Sequence, residues 1–204
     1  MAYQPSPSRL EAFSDGVIAV IITIMVLDFK VPKEPGMPGL LTVLPTLLVY
    51  LLSFSFVGIY WINHHHLVGR LKRVDHFILW ANLDLLFWLS LTPYVTSYMI
   101  DKHLDSFSVA VYLWSLLLTG AAFSVLQWAI RRHISRSGEV HDPEEAALHF
   151  AEERKGYVSV VLYLTGTWLA FRAPMLGLAC AAGVTLLWII PTFGIQRHDP
   201  TEPT

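Results

Sequence analysis

Six apolar stretches run along the chain, at residues 10–29, 39–62, 76–100, 106–130, 156–172 and 174–195, each bounded by charges or by proline and glycine. A helix needs ~20 mostly apolar residues to cross a bilayer core about 30 Å thick, so the pattern predicts six transmembrane helices. The first break, KVPKEPGMPG at 30–39, holds three prolines and two glycines, which end one helix and force a tight turn before the next. Arg172, Ala173 and Pro174 part the last two stretches. The fifth is the shortest and is interrupted by Thr165, Gly166 and Thr167, so it reads either as a span or as a re-entrant or interfacial segment. The only long polar connection, 131–155, mixes both charge signs and carries a helix-like piece, PEEAALHFAEERK, with Asp142 suited to an N-cap and Pro143 to N1. It reads as a water-facing hairpin. The expected architecture is all-α: residues 1–204 form a single polytopic domain of six transmembrane helices.

Composition agrees with the pattern. At 54% hydrophobic, 15% charged and mean hydropathy +0.49, the chain is more apolar than a soluble domain usually is. A net charge of −2 without a basic block argues against a nucleic-acid partner, and the single cysteine, Cys180, excludes an intrachain disulfide framework. The N-terminus has no basic n-region or small-residue cleavage site, so the first helix is expected to be retained. Lysine and arginine divide unevenly. One side collects Arg9, Arg70, Lys72, Arg73, Arg131, Arg132, Arg136, Arg154, Lys155 and Arg197, and the other only Lys30, Lys33, Lys102 and Arg172. The positive-inside rule then puts both termini in the cytoplasm of a multi-pass protein of the cell membrane.

At 100° per residue, Phe13, Gly16, Val20, Ile24 and Leu27 share one face of the first helix, with Thr23 on its shoulder and Asp15 nearly opposite. Periodicity alone favours a stripe facing lipid or other helices and an aspartate paired inside the bundle. An ionisable group at membrane depth needs a partner or water, so Asp15 and Asp84 each call for one. For Asp15 the nearest candidates close the second helix, in YWINHHHLVGR, where Trp61, His64 and His65 lie within about a turn and a half. Three consecutive histidines suggest a metal, yet successive helical side chains point 100° apart and cannot all ligate one ion, and no cysteine or HExxH spacing supports zinc. The histidines are expected to bond Asp15 or to face water, with no metal and no cofactor. In the third stretch Asn82 is expected to make an interhelical hydrogen bond, and Pro93 needs a neighbouring helix to satisfy the backbone it leaves open. Asp84 is either protonated and inert or a proton or cation site. No catalytic triad or phosphate-binding glycine loop occurs, so an enzyme is not expected.

Arg9-x-x-x-Phe13-Ser14-Asp15-Gly16 opening the first helix, Trp61-x-x-His64-His65 ending the second, and Asn82 with Pro93 in the third resemble the transmembrane protein 175 family. The likeness is carried by the N-terminal half. It implies a potassium-permeable, weakly potassium-over-sodium selective cation channel, a homotetramer in the lipid bilayer with four copies of the first helix around a pore that passes monovalent cations. It also implies a hydrophobic constriction at Val20, a hydroxyl ring at Thr23 and further aliphatic layers at Ile24 and Leu27. Valine at 20 replaces the isoleucine or leucine usual in the family, which leaves Val20 and Ile24 as alternatives for the tightest point. On this reading Arg9, Phe13, Ser14, Asp15, Trp61, His64, His65 and Asn82 form a supporting network, with Asp15 accepting from His64 or His65 and from the Trp61 indole. The alternative class is a secondary or proton-coupled transporter coupled through Asp84, for which repeat symmetry between two halves is expected and no convincing repeat is seen. A non-transporting membrane scaffold is a third.

Overall fold

The computed structural model describes residues 6–136 and 143–189. Among them the chain is all helical: α1 (Pro7–Ile24), α2 (Gly36–Val68), α3 (His76–Ser90), α4 (Thr92–Asp101), α5 (Ser106–Arg136), α6 (Pro143–Ala170) and α7 (Pro174–Ile189). By length and composition, Pro7–Leu27, Gly36–Val68, His76–Asp101 and Ser106–Arg136 can each cross a membrane, and α7 is a shorter apolar helix.

Local chemistry sets the boundaries. After α1 the chain tightens into a 3-10 turn, Met25–Asp28, and then enters the proline-rich link. That link folds back onto the first turn of α2 so closely that a Cβ at Gly39 would lie 1.9 Å from the Glu34 carbonyl oxygen; only glycine fits there. The third apolar stretch is not one uninterrupted helix. Pro93 has no N–H to return to Leu89, so the ladder loosens at Leu91, whose N–H bonds Trp88 at 3.3 Å, and α4 restarts from there. Helix α5 runs on to Arg136, and α6 runs without interruption from Pro143 into the fifth apolar stretch, so the polar segments on either side of residues 137–142 are continuous with these two helices. The cap expected at Asp142 lies outside the described residues.

Helix α5 is central. It packs against α3, α4, α6 and α7, and Tyr112, Leu113, Leu126 and Ile130 are fully buried on it. A mid-bundle bond joins three helices where Ser53 Oγ meets Thr96 Oγ1 at 2.9 Å and the Tyr112 hydroxyl at 3.0 Å. Helices α6 and α7 lie close because the residues between them are small: a Cβ at Gly177 would stand 3.0 Å from the Gly166 carbonyl oxygen and 3.1 Å from the Ala170 Cβ. Gly177→Leu is expected to cost about 1–3 kcal/mol by overpacking, read as a lowered thermal midpoint of the detergent-solubilised protein.

Asp75 caps α3, with Oδ1 accepting from the Ile78 N–H at 2.8 Å and Oδ2 lying 3.1 Å from His133 Nδ1 at the end of α5. Partial burial pushes its carboxyl up, but the Ile78 and His133 bonds outweigh this and hold it below the usual carboxylate range. A value depressed on folding means that the ionised cap stabilises fully above about pH 4 and that this contribution is lost as pH falls through the lowered value. Asn caps nearly as well and does not ionise. Asp75→Asn is therefore expected to keep most of the stability at pH 7 and to flatten the acid limb of a thermal-midpoint titration.

Candidate functional site on the first helix

Helices α1 and α2 run antiparallel and are fastened by pairs one helical turn apart. Asp15 Oδ1 accepts from Trp61 Nε1 at 2.9 Å, and Glu11 Oε1 lies 2.7 Å from His65 Nδ1. Trp61 and His65 stack with ring centroids 6.3 Å apart, which keeps both side chains turned to α1. The register follows from the period: Glu11 and Asp15 are four apart, as are Trp61 and His65, so each pair occupies one face.

His64 is 100° from His65 and faces α3 instead. Its Nε2 lies 2.7 Å from Asn82 Oδ1, and Asn82 Nδ2 donates to Ser14 Oγ at 3.0 Å. Ser14 in turn donates to the Leu10 carbonyl at 2.9 Å, so its hydroxyl is used as donor and acceptor at once. Ser14, His64 and Asn82 are all fully buried, and one carboxamide ties α1, α2 and α3 together. His64 Nδ1 is buried with no hydrogen-bond partner among the described residues.

The expected network is thus corrected in two places. Neither His64 nor His65 bonds Asp15, because the helical period sends one to Asn82 and the other to Glu11. Phe13 is 54% exposed on the opposite face, outside the network. Glu11 was missed; its signal was its place one turn before Asp15, facing a histidine one turn after Trp61. Asp84 lies two residues beyond Asn82, about 200° round α3, on the exposed side and away from this cluster. No group of three metal-ligating side chains occurs among the described residues.

The other face of α1 is uncovered. Ile18, Ile21 and Met25 are at most 3% exposed, whereas Val20 is 56%, Ile24 41% and Leu27 78% exposed. Thr23 is exposed between them, its Oγ1 donating to the carbonyls of Ala19 at 2.9 Å and Val20 at 3.0 Å. With its proton held by the helix, that oxygen presents lone pairs outward. A helix locked by buried polar bonds on one side and left apolar on the other places this chain among helical multi-pass membrane proteins.

Comparison with known proteins defines it further. Residues 9–93 match the family model described as the endosomal/lysosomal potassium channel TMEM175. The chain is 41% identical to a potassium channel of Chryseobacterium sp. over 93% of its own length and 95% of the relative's, and 36% identical to one of Streptomyces collinus over 96% and 98%. Its fold superposes with a TM-score of 0.73 on the crystal structure of a lysosomal potassium-selective channel TMEM175 homolog from Chamaesiphon minutus, at 25% identity, covering 90% of this chain and 96% of that one. The chain belongs to the TMEM175 family, whose members matched here are named as channels and not as enzymes.

Replacing Asn82 by leucine strands Ser14 and His64 in a dry interior, whereas Trp61→Phe removes one half-exposed bond. Asn82→Leu is expected to destabilise the folded protein by about 1–3 kcal/mol and Trp61→Phe by about 1 kcal/mol or less, compared by thermal midpoints in one detergent.

Proposed function

We propose that this chain is the subunit of a potassium-permeable cation channel, homotetrameric, with the uncovered face of α1 lining a central pore. The observation that carries the reading is the division of α1: one face is fixed by Asn82, Trp61 and His65, while the face bearing Val20, Thr23, Ile24 and Leu27 is left exposed by the described residues of the subunit. Four such faces meeting on an axis form aliphatic rings that exclude water and so bar ions, and four threonine oxygens replace part of an ion's hydration. With no carbonyl filter in this arrangement, preference for potassium over sodium is weak. The exposed positions Val20 and Ile24 lie one turn apart, and Ile24 carries the larger side chain.

Six crossings fit best, with residues 156–170 of α6 and helix α7 supplying the last two through their close glycine-lined contact. Both termini are then cytoplasmic in the cell membrane, and the residues joining α5 to α6 lie on the same side. Asp15, bonded by Trp61 and turned from the exposed stripe, holds the pore helix against α2 and does not bind the ion. Matched relatives named as potassium channels support the substrate assignment.

Potassium flux into liposomes reconstituted with the purified protein tests this. Ile24→Asn is expected to raise flux by about tenfold, as for a barrier lowered by about 1.4 kcal/mol, with sodium rising at least in proportion. Unchanged flux in that variant, or flux that requires a coupled second ion, would remove α1 as the gate. Asp15→Asn is expected to reduce tetramer yield or flux, and wild-type behaviour in both would sink the holding role.

A further inference from the structure

The side of α2 turned from α1, about half a turn round the helix from Trp61 and His65, faces a cavity of about 290 Å³ between α2, α5, α6 and α7. Phe56, Leu117, Val160 and Val184 make apolar walls. Tyr60, Asn63, Gln127 and Tyr163 add polar groups, and at one end Arg131 and Glu153 pair at 2.6 Å. The Tyr60 ring is clamped by Phe56 and Phe123, with centroids 4.8 and 5.4 Å away, and its hydroxyl sits 3.4 Å from where a Cβ on Gly120 would stand.

The hydrogen-bond inventory of these tyrosines is uneven. Tyr112, fully buried elsewhere in the bundle, has its hydroxyl 3.0 Å from Ser53. Tyr60, half-buried, and Tyr163, only 3% exposed, line the cavity with no side-chain hydrogen bond among the described residues, and neither hydroxyl oxygen is sealed off from the cavity. A phenol opening into a mostly apolar cavity is served by an occupant that accepts its proton. The charges present, Arg131 and Glu153, already satisfy each other, so the unmet demand at this site is for a neutral acceptor. A volume at the small end of ligand pockets limits the occupant to about two rings. Tyr157 and Val160, 74% and 43% exposed, mark the open side.

We propose that this cavity binds a small uncharged amphiphile, an apolar body of one or two rings bearing a carbonyl-type acceptor that receives the Tyr60 and Tyr163 hydroxyls. Its occupant braces the helix whose other face anchors α1, which makes it a modulator of the channel. That last effect rests on the channel reading; binding does not.

Benzophenone, two rings around a ketone and photoreactive, is the probe. The full chain in lipid nanodiscs is irradiated with it and the adducts are mapped by peptide mass spectrometry. Adducts are expected to concentrate on 156–163 and 184–188. Gly156 lines the cavity and a Cβ there meets nothing within 4 Å, so Gly156→Leu can fill space without a clash. It is expected to cut labelling about tenfold. Tyr60→Phe, which keeps the ring, is expected to cut it about fivefold, and diphenylmethane, lacking the ketone, to compete about fivefold less well than unlabelled benzophenone analogues. Adducts spread along 40–51 of α2 and unchanged by Gly156→Leu would overturn the site, and equal competition by diphenylmethane would overturn the acceptor. Because labelling is read without flux, a protein that conducts nothing yet labels as expected refutes the channel reading alone.

Discussion

A carboxamide buried among three membrane helices is the constraint on which the arrangement turns. Helices in lipid gain little from apolar contact with each other, since the surrounding tails are equally apolar, so orientation is set by polar bonds and by close packing of small residues. Asn82 supplies the first. By donating to Ser14 and accepting from His64 it allows one rotational setting of α1, and the Asp15–Trp61 and Glu11–His65 pairs repeat that setting on the neighbouring helix. A rotation of α1 by one residue would strand Ser14 and turn Val20 inward.

The rest of the bundle follows the same economy. Small residues bring α6 and α7 together, and Ser53 with Thr96 and Tyr112 pins α2, α4 and α5 at mid-depth. Pro93 divides the third span without unfolding it, because neighbouring helices cover the loosened turn. The Lys30–Asp101 pair and the Asp75 clasp occupy helix ends, where water lowers both their cost and their worth. Stability and the exposure of the Val20–Leu27 face therefore reside in different places: the first in α5 and its neighbours, the second in the rotational setting of one peripheral helix. This division lets the exposed face of α1 change character without dismantling the core.

How far the sequence reached can be judged from single residues. The first four spans were legible because hydropathy averages over ~20 positions, and a misjudged end does little to that average. The stripe on α1 and the opposed Asp15 were legible because one helix obeys one period. Partner choice was not. Trp61, His64 and His65 were all within reach of Asp15 by spacing, and which of them bonds it depends on the rotation of α2 and the position of α3, neither of which local periodicity encodes. Glu11 went unremarked for the same reason, as an acidic residue near a helix start has a sufficient local explanation. The break at Leu91 had its sign in Pro93 and the start of α6 its sign in Pro143, whereas the run of α6 from there into the fifth apolar stretch had none, since a charged amphiphilic stretch and an apolar one can share a single helix.

By itself the sequence determined the medium, the four span-capable helices among the described residues, the turn at 30–39 and the two faces of α1, because each depends on composition or on a period counted along one chain. Tertiary structure decided which buried polar group meets which, that Phe13 stands outside the network and Asp84 away from it, and that a cavity with two unpartnered tyrosines lies behind α2. These depend on distances between helices far apart in sequence. Such distances are settled only when all the buried polar groups compete at once for a limited set of partners.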